Sequence, residues 1–187
     1  MTMKKLFFAT VMCLATLATK AQVLTAETIS DVYEQAMNGT EGDFAYNVER
    51  NADGRIATAF VYERCWGRRG AVSLKPRYQY DYAYDADGLL LSRTTHRWYQ
   101  GQWVCTGRLD YTTTTGAYSV EYSRWNPRKG SFDEPLDKTT YTLLPDTSVN
   151  HVYTYHRAAG SQPYQLAWLV AVNNLPLLRD ELLTQQR

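Results

Sequence analysis

The stretch that decides the fold is YQYDYAYDADGLLLSRTTHRWYQGQWVCTGRLDY, from Tyr78 to Tyr111. Tyrosine alternates with other residue types from Tyr78 to Tyr84. Because successive side chains of a strand point to opposite faces, this alternation predicts a β-strand with one aromatic face. The segment from Asp85 to Gly88 then supplies a turn, because Asp accepts local backbone hydrogen bonds and Gly adopts positive φ without a Cβ clash.

Two turns in this stretch set the register of a double hairpin. A three-residue loop at 86–88 predicts the opposed pairs Asp85–Leu89, Tyr84–Leu90 and Tyr82–Ser92. A two-residue turn at 100–101 predicts the opposed pairs Tyr99–Gln102, Trp98–Trp103, His96–Cys105 and Leu90–Tyr111. The predicted dry face holds Leu90, Trp98, Trp103, Cys105, Leu109 and Tyr111, and the predicted wet face holds Arg93, Arg97, Arg108 and Asp110. One dry face and one wet face indicate an antiparallel sheet.

Weaker copies of this unit flank it on both sides. Upstream, a bulged turn at 51–54 predicts the opposed pairs Val48–Thr58, Tyr46–Phe60 and Phe44–Tyr62. Downstream, alternating stretches lie near 118–122, 137–143, 152–156 and 164–172. The turn glycines and the strand-ending tryptophans recur about every 30 residues, which is typical of stacked hairpin units. The sequence therefore predicts an all-β fold, an antiparallel up-and-down meander of about eight strands built from hairpin repeats, with a short N-terminal helix.

The N-terminal part of the chain predicts an export signal followed by that helix. Residues 1–21 have the basic start, the apolar run and the small-residue cleavage site of a signal peptide, with cleavage near Ala21. We therefore expect a secreted or periplasmic product. Apolar spacing after Thr25, the candidate N-cap, predicts the helix. The expected divisions are 1–21 signal peptide, 22–43 helix and linker, 44–172 hairpin repeat domain and 173–187 C-terminal tail.

Charge and cysteine content narrow the function classes. Cleavage removes Lys4, Lys5 and Lys20 from the 20 basic residues, which leaves 17 against 19 acidic residues and a net charge of −2. A chain so close to neutral lacks the excess of positive charge that is typical of proteins that bind nucleic acid. No second apolar run is long enough to span a membrane. Cys65 and Cys105 remain, and the sequence leaves open whether they form a disulfide or serve as small apolar residues.

The residues also carry a resemblance to a known family. The segments Tyr84–Leu89, Leu74–Tyr80 and Tyr122–Trp125, with Arg97-Trp98, Trp103 and Tyr111, resemble small secreted proteins of unknown function from gut Bacteroidales that have tyrosine-rich β-hairpin repeats. The resemblance covers roughly residues 44 to 143. It implies an all-β hairpin domain, and it brings no activity and no site with it.

The sequence contains none of the motifs that would indicate catalysis, a metal or a cofactor. It has no G-x-S-x-G, no H-E-x-x-H, no phosphate loop and no paired C-x-x-C signature. The His96–Cys105 pair is expected to be structural, because a nucleophilic pair needs a third, orienting group. We therefore predict a protein that is not an enzyme and needs no cofactor. An enzyme with a dispersed carboxylate site, at Asp81 and Asp137, is the minor alternative.

Aromatic content gives the only functional signal. The chain has 15 Tyr and five Trp, residues with an apolar body and a polar tip that suit binding faces as well as strand ladders. The sequence predicts a binding module for a glycan or a protein partner. Its candidate binding residues are Trp98, Trp103, Tyr80, Tyr82, Trp66 and Trp125. The alternative is a structural protein that assembles through its sheet edges.

Overall fold

The computed structural model describes residues 24–38, 42–67, 70–144, 149–158 and 162–171. The predicted signal peptide and the C-terminal tail at 173–187 lie outside these residues. Within them, one helix and ten strands form a single antiparallel meander, which confirms the predicted fold class. Two more strands are present than the sequence predicted, one of them the two-residue strand β7.

The sheet follows the order of the chain from one edge to the other. The elements are α1 Ala26–Asn38, β1 Phe44–Arg50, β2 Ile56–Trp66, β3 Val72–Tyr84, β4 Leu90–Tyr99, β5 Gln102–Thr114, β6 Ala117–Asn126, β7 Ser131–Phe132, β8 Asp137–Leu143, β9 Val149–His156 and β10 Gln165–Ala171. Each strand pairs antiparallel with the next, except that β8 pairs with β6 while β7 forms a side pair with β6. Strands β1 and β10 are the two edges.

Helix α1 covers one face of the sheet at its β1 end. The Thr25 hydroxyl accepts from the Thr28 amide at 3.2 Å, and the Thr28 hydroxyl accepts from the Thr25 amide at 2.8 Å, so the predicted N-cap is confirmed. Ile29 and Tyr33 lie one turn apart and point at the sheet. The main cluster of buried apolar residues in the described part of the chain is small and consists of Ile29, Tyr33, Ile56, Ala59 and Leu90. No helix among the described residues has both the length and the apolar content to cross a membrane.

The predicted turns are confirmed. Gly88 has φ 84°, and the Asp85 amide donates to the Leu89 carbonyl at 3.0 Å. The Asp85 carboxylate also accepts from the Leu89 amide at 2.8 Å, which explains why aspartate stands at this position. Gln100 and Gly101 both have positive φ, 48° and 85°, as a two-residue turn that matches strand twist requires.

The predicted pairing of residues between neighbouring strands is wrong in part. The pairs Tyr84–Leu90, Trp98–Trp103 and His96–Cys105 occur as predicted. Tyr82, however, lies opposite Arg93, and in the first hairpin the opposed pairs are Val48–Ala59, Tyr46–Val61 and Phe44–Glu63. The register shifts that cause this lie at Ala83/Tyr84 and at Glu49/Arg50. One extra residue in a strand moves every later side chain to the other face.

The same effect redistributes the predicted dry and wet faces. A further shift at Thr95/His96 separates the two halves of the β4–β5 hairpin. As a result the helix face, defined as the face that α1 covers, carries Leu90, Arg93, Arg97, Leu109 and Tyr111. The open face, on the opposite side, carries Trp98, Trp103, Cys105, Arg108 and Asp110. Polar and aromatic residues are therefore mixed on both faces.

Candidate binding face

The open face carries a group of three aromatic rings that we call the aromatic cluster: Phe60, Trp98 and Trp103. Trp98 and Trp103 are an opposed pair on β4 and β5, and their rings meet edge to face with centroids 4.9 Å apart. The Phe60 ring, on β2, lies 6.0 Å from the Trp103 ring. Offset and edge-to-face aromatic pairs at these distances are attractive beyond the area that they bury.

Phe60 and Trp103 meet although two strands separate them. Strands lie about 4.8 Å apart, so β2 and β5 would be roughly 14 Å apart in a flat sheet. Their side chains must therefore lean toward each other across β3 and β4. Gln79 and His96 occupy the two intervening strands in register with Phe60. This part of the open face therefore combines the polar side chains of Gln79 and His96 with the aromatic rings of Phe60 and Trp103.

Asp81 organises the polar groups beside the aromatic cluster. Its Oδ1 accepts from the Thr58 hydroxyl at 3.0 Å and from the Gln79 amide at 2.9 Å. Its Oδ2 lies 3.2 Å from Nδ1 of His96, within ion-pair range. That Nδ1 atom is buried and has no hydrogen bond of acceptable geometry among the described residues. We call Thr58, Gln79, Asp81 and His96 the polar cluster.

Cys105 lies directly opposite His96 but is not prepared for nucleophilic chemistry. Burial raises the pKa of the Cys105 thiol, and the nearby Asp81 carboxylate raises it further. A backbone hydrogen bond from Gly107 acts in the other direction and does not reverse the net shift. An activated cysteine needs a lowered pKa. Among the described residues, no group of three or more His, Cys, Asp or Glu side chains is arranged to hold a metal ion.

A second aromatic pair extends the open face toward β7. Trp125 on β6 meets Phe132 edge to face with ring centroids 5.1 Å apart. The Arg108 guanidinium lies 4.6 Å from the centre of the Phe132 ring, and its Nε also donates to Asp110 at 3.0 Å. A cation held over a ring and beside a carboxylate has little rotational freedom. The open face therefore presents a fixed guanidinium next to aromatic surface.

Two of the predicted binding residues lie on the helix face, and a third lies apart from the aromatic cluster. Tyr80 and Tyr82 are on the helix face, where the Tyr82 hydroxyl lies 2.8 Å from the Tyr33 hydroxyl. Burial raises the pKa of Tyr82 to about 12, and the pKa of Tyr80 is raised for the same reason. Tyr82 is thus part of the contact between helix and sheet. Trp66, at the end of β2, is 69% exposed and touches no member of the aromatic cluster.

The two cysteines lie on strands that are not neighbours in the sheet. Cys65 lies on β2 and Cys105 on β5, and both thiols are free. The two intervening strands put the residues roughly 14 Å apart, far beyond the distance that a disulfide can bridge. We therefore expect two free thiols rather than a disulfide within one chain.

A polar depression of about 520 Å³ lies at the other end of the sheet, between the turns that follow β1 and β3. Arg55 crosses it and donates to the carbonyls of Asp85 and Ala86, at 2.7 and 2.9 Å. The Asn51 side chain accepts from the amides of Asp53 and Arg55. Because these polar groups satisfy one another, the depression is explained as the junction of two turns.

The comparisons with known proteins place the chain in a family. The model of the DUF3836 family, a family of unknown function, matches residues 4–143. The chain belongs to the DUF3836 family. A protein of unknown function from Bacteroides fragilis is similar in structure, with a TM-score of 0.58 and 25% identity over 73% of this chain and 95% of that one. No curated protein matches the chain.

Two solved family members give weaker matches. A DUF3836 protein from Parabacteroides distasonis has a TM-score of 0.42 and 17% identity over 73% of this chain and 96% of that one. A DUF3836 protein from Bacteroides vulgatus has a TM-score of 0.42 and 20% identity over 49% of this chain and 89% of that one. Membership of the DUF3836 family confirms the predicted resemblance in its coarse form, to a family of unknown function. The family brings no described function with it.

Proposed function

We propose that this DUF3836 protein is a secreted, non-catalytic binding module that takes up a glycan or a protein partner on its open face. The observation that carries the proposal is the aromatic cluster beside the polar cluster. Rings supply apolar surface for stacking, and the Asp81 carboxylate and the Gln79 amide are hydrogen-bonding groups next to them. Sugar rings need both kinds of contact at once.

The test of this proposal is a glycan-array screen of the mature chain from Gln22, followed by titration of tryptophan fluorescence. Trp98→Ala combined with Trp103→Ala is expected to abolish binding, because removing both indoles removes the stacking surface. The matched control is Trp168→Ala, which deletes a 65% exposed tryptophan on the edge strand β10. Both variants are checked for folding by circular dichroism.

The array and the fluorescence titration distinguish a glycan ligand from a protein partner. A saturable glycan that shifts tryptophan emission and is lost only in the Trp98/Trp103 variant supports the glycan form of the proposal. A blank array followed by capture of a protein partner that the same variant loses supports the protein form. Undiminished binding by the folded double variant would overturn the assignment to this face.

A second candidate function, assembly through a sheet edge, is favoured by strand β10. All seven of its residues are exposed, and its apolar side chains include Leu166, Trp168, Leu169 and Val170. Among the described strands, none pairs with the outer edge of β10. An unpaired apolar edge is a template for pairing with another chain. Light scattering over a range of concentrations tests this: association should fall in Leu169→Lys, and a monomer at every concentration argues against it.

A further inference from the structure

Arg93 stands out among the arginines of the described residues because its guanidinium is partly buried and lacks both a carboxylate partner and a hydrogen bond from its buried Nε. Its guanidinium lies 4.9 Å from the centre of the Tyr80 ring, on the helix face. Its Nε atom is buried and has no hydrogen-bond partner within the described part of the chain. By contrast, Arg50, Arg77 and Arg108 each pair with a carboxylate. A half-buried cation without a counter-ion is costly, so its presence needs an explanation.

The groups around Arg93 are tyrosines. The Arg93 charge lowers the pKa values of Tyr33, Tyr80, Tyr82 and Tyr111, although burial raises each of them more strongly. The Tyr80 ring also stacks with the Tyr78 ring, with centroids 6.1 Å apart. These contacts hold the guanidinium in one place through a cation–π interaction. They leave its charge uncompensated, because a tyrosine hydroxyl is neutral at pH 7.

Two further arginines lie around the same point of the sheet. Thr95 and Gly107 are an opposed pair on β4 and β5. Arg93 and Arg97 flank Thr95 along β4, and Arg124 on β6 lies opposite Gly107. Since directly opposed residues share a face, all three arginines lie on the helix face. We call Arg93, Arg97 and Arg124, with Tyr78 and Tyr80, the arginine–tyrosine patch.

The acidic residues of strands β4, β5 and β6 lie on the other face. β4 contains no acidic residue, and Asp110 pairs with Arg108 on the open face. Glu121 lies opposite Asp110 and Lys138, again on the open face. Asp81 of β3 lies in the polar cluster there too. Within the described residues of β4, β5 and β6, three arginines therefore lie on the helix face around the Thr95–Gly107 pair, and both carboxylates lie on the open face.

We propose that the arginine–tyrosine patch binds an oxyanion, a carboxylate or sulfate group of a ligand. The planar guanidinium fork matches both groups with two parallel hydrogen bonds. The Arg93 side chain is only partly buried, and its terminal nitrogens form no hydrogen bond within the described part of the chain. Arg97 and Arg124 are exposed and add positive charge at the edge of the arginine–tyrosine patch. The stacked tyrosines provide a flat surface beside the anion, as a sugar acid or a sulfated sugar would need.

The experiment is a thermal-shift and calorimetric titration of the full mature chain with three probes: sodium sulfate, sodium glucuronate and glucose. Ionic strength is held constant with sodium chloride, so that general screening does not count as binding. The test variants are Arg93→Gln and the pair Arg97→Gln with Arg124→Gln. The control is Arg128→Gln, which removes one exposed positive charge in the β6–β7 turn, away from the patch.

The expected result is saturable binding of sulfate or glucuronate, with no response to glucose. Arg93→Gln should weaken it roughly tenfold or more, since it removes charge-assisted hydrogen bonds. The Arg97/Arg124 pair should weaken it severalfold, and Arg128→Gln should leave it unchanged. Binding of sulfate alone or glucuronate alone identifies the group that the site prefers.

Two results would overturn the proposal. One is the absence of saturable binding by either anion, and the other is unchanged affinity in a folded patch variant. If Arg93→Gln does not fold, the anion affinity of the variant with both Arg97→Gln and Arg124→Gln tests the proposal, because those two side chains are exposed. The proposal is independent of the aromatic cluster, because the two sites lie on opposite faces. The Trp98/Trp103 double variant should therefore still bind the anion.

Discussion

The hydroxyl groups of Tyr33 and Tyr82 lie 2.8 Å apart and form a polar contact between helix α1 and the sheet. The two rings meet edge to face with centroids 6.2 Å apart. Tyr33 comes from the helix and Tyr82 from near the C-terminal end of β3, 49 residues later. This pair therefore ties the helix to the sheet through one buried hydrogen bond as well as through apolar packing.

Tyr33→Phe should destabilise the protein by about 1–3 kcal/mol, because the Tyr82 hydroxyl is left buried without its partner. Adding Tyr82→Phe should cost less than the sum of the two single changes, since the second change removes the orphaned group. Urea unfolding followed by circular dichroism gives the free energy of unfolding of the wild type, the two single variants and the double variant, which form a double-mutant cycle. Strictly additive losses would show that the two hydroxyls do not interact.

Stability should fall as pH rises from about 10 to about 12. Burial raises the pKa of Tyr82 to about 12 in the folded chain, whereas an unfolded tyrosine ionises near 10. Above pH 10 the unfolded chain therefore releases protons that the folded chain retains, and ionisation favours unfolding. Urea midpoints measured across this range should decline, and less steeply in the Tyr33→Phe/Tyr82→Phe variant. A flat profile would contradict the buried position of these hydroxyls.

Gly107→Ala should destabilise the sheet by about 1–3 kcal/mol through steric overlap. A Cβ at this position would lie 2.6 Å from the Tyr122 ring and from its hydroxyl. Tyr122→Ser in the same chain should recover part of the loss, because it removes the group in the way. Gly101→Ala is the contrasting change: nothing lies within 4 Å of its Cβ, but its φ is 85°, so its loss comes from backbone strain. Tyr122→Ser should not rescue that variant.

The mature chain should contain two titratable thiols without any reductant. Cys65 and Cys105 are both free, and their strands are too far apart for a bond within one chain. Ellman's reagent under denaturing, non-reducing conditions should count two thiols per chain. In the native state Cys105 should react slowly, because burial raises its pKa and lowers the thiolate fraction. A count of zero would mean that the thiols had paired after all.

Local chemistry explains why much of the fold could be predicted. The Asp85 side chain and the positive φ of Gly88 fix one turn, and Gln100-Gly101 fixes the next. Opposed pairs close to those turns, such as Tyr84–Leu90 and Trp98–Trp103, follow directly. The helix N-cap at Thr25 is likewise local.

Pairs beyond a bulge could not be predicted in the same way. The pairing of Ala83 with Ser92 and of Tyr84 with Leu90 leaves Leu91 as an extra residue, and no local sequence motif predicts it. It places Arg93 opposite Tyr82, so the arginine–tyrosine patch was missed. Phe60 was missed as a member of the binding face for a related reason, because its contact with Trp103 crosses two intervening strands.

The order of the strands also determines how the chain responds to a mechanical load. Neighbours in the described sheet are neighbours in sequence, apart from the β6–β8 pair, and β1 and β10 are the outermost strands. A force that pulls these two ends apart therefore meets one hairpin ladder at a time. The hydrogen bonds of such a ladder break one pair after another at low force. Stretched chains should therefore lengthen gradually, beginning at the β10 edge, which no helix covers. The strands beneath α1 should unfold last.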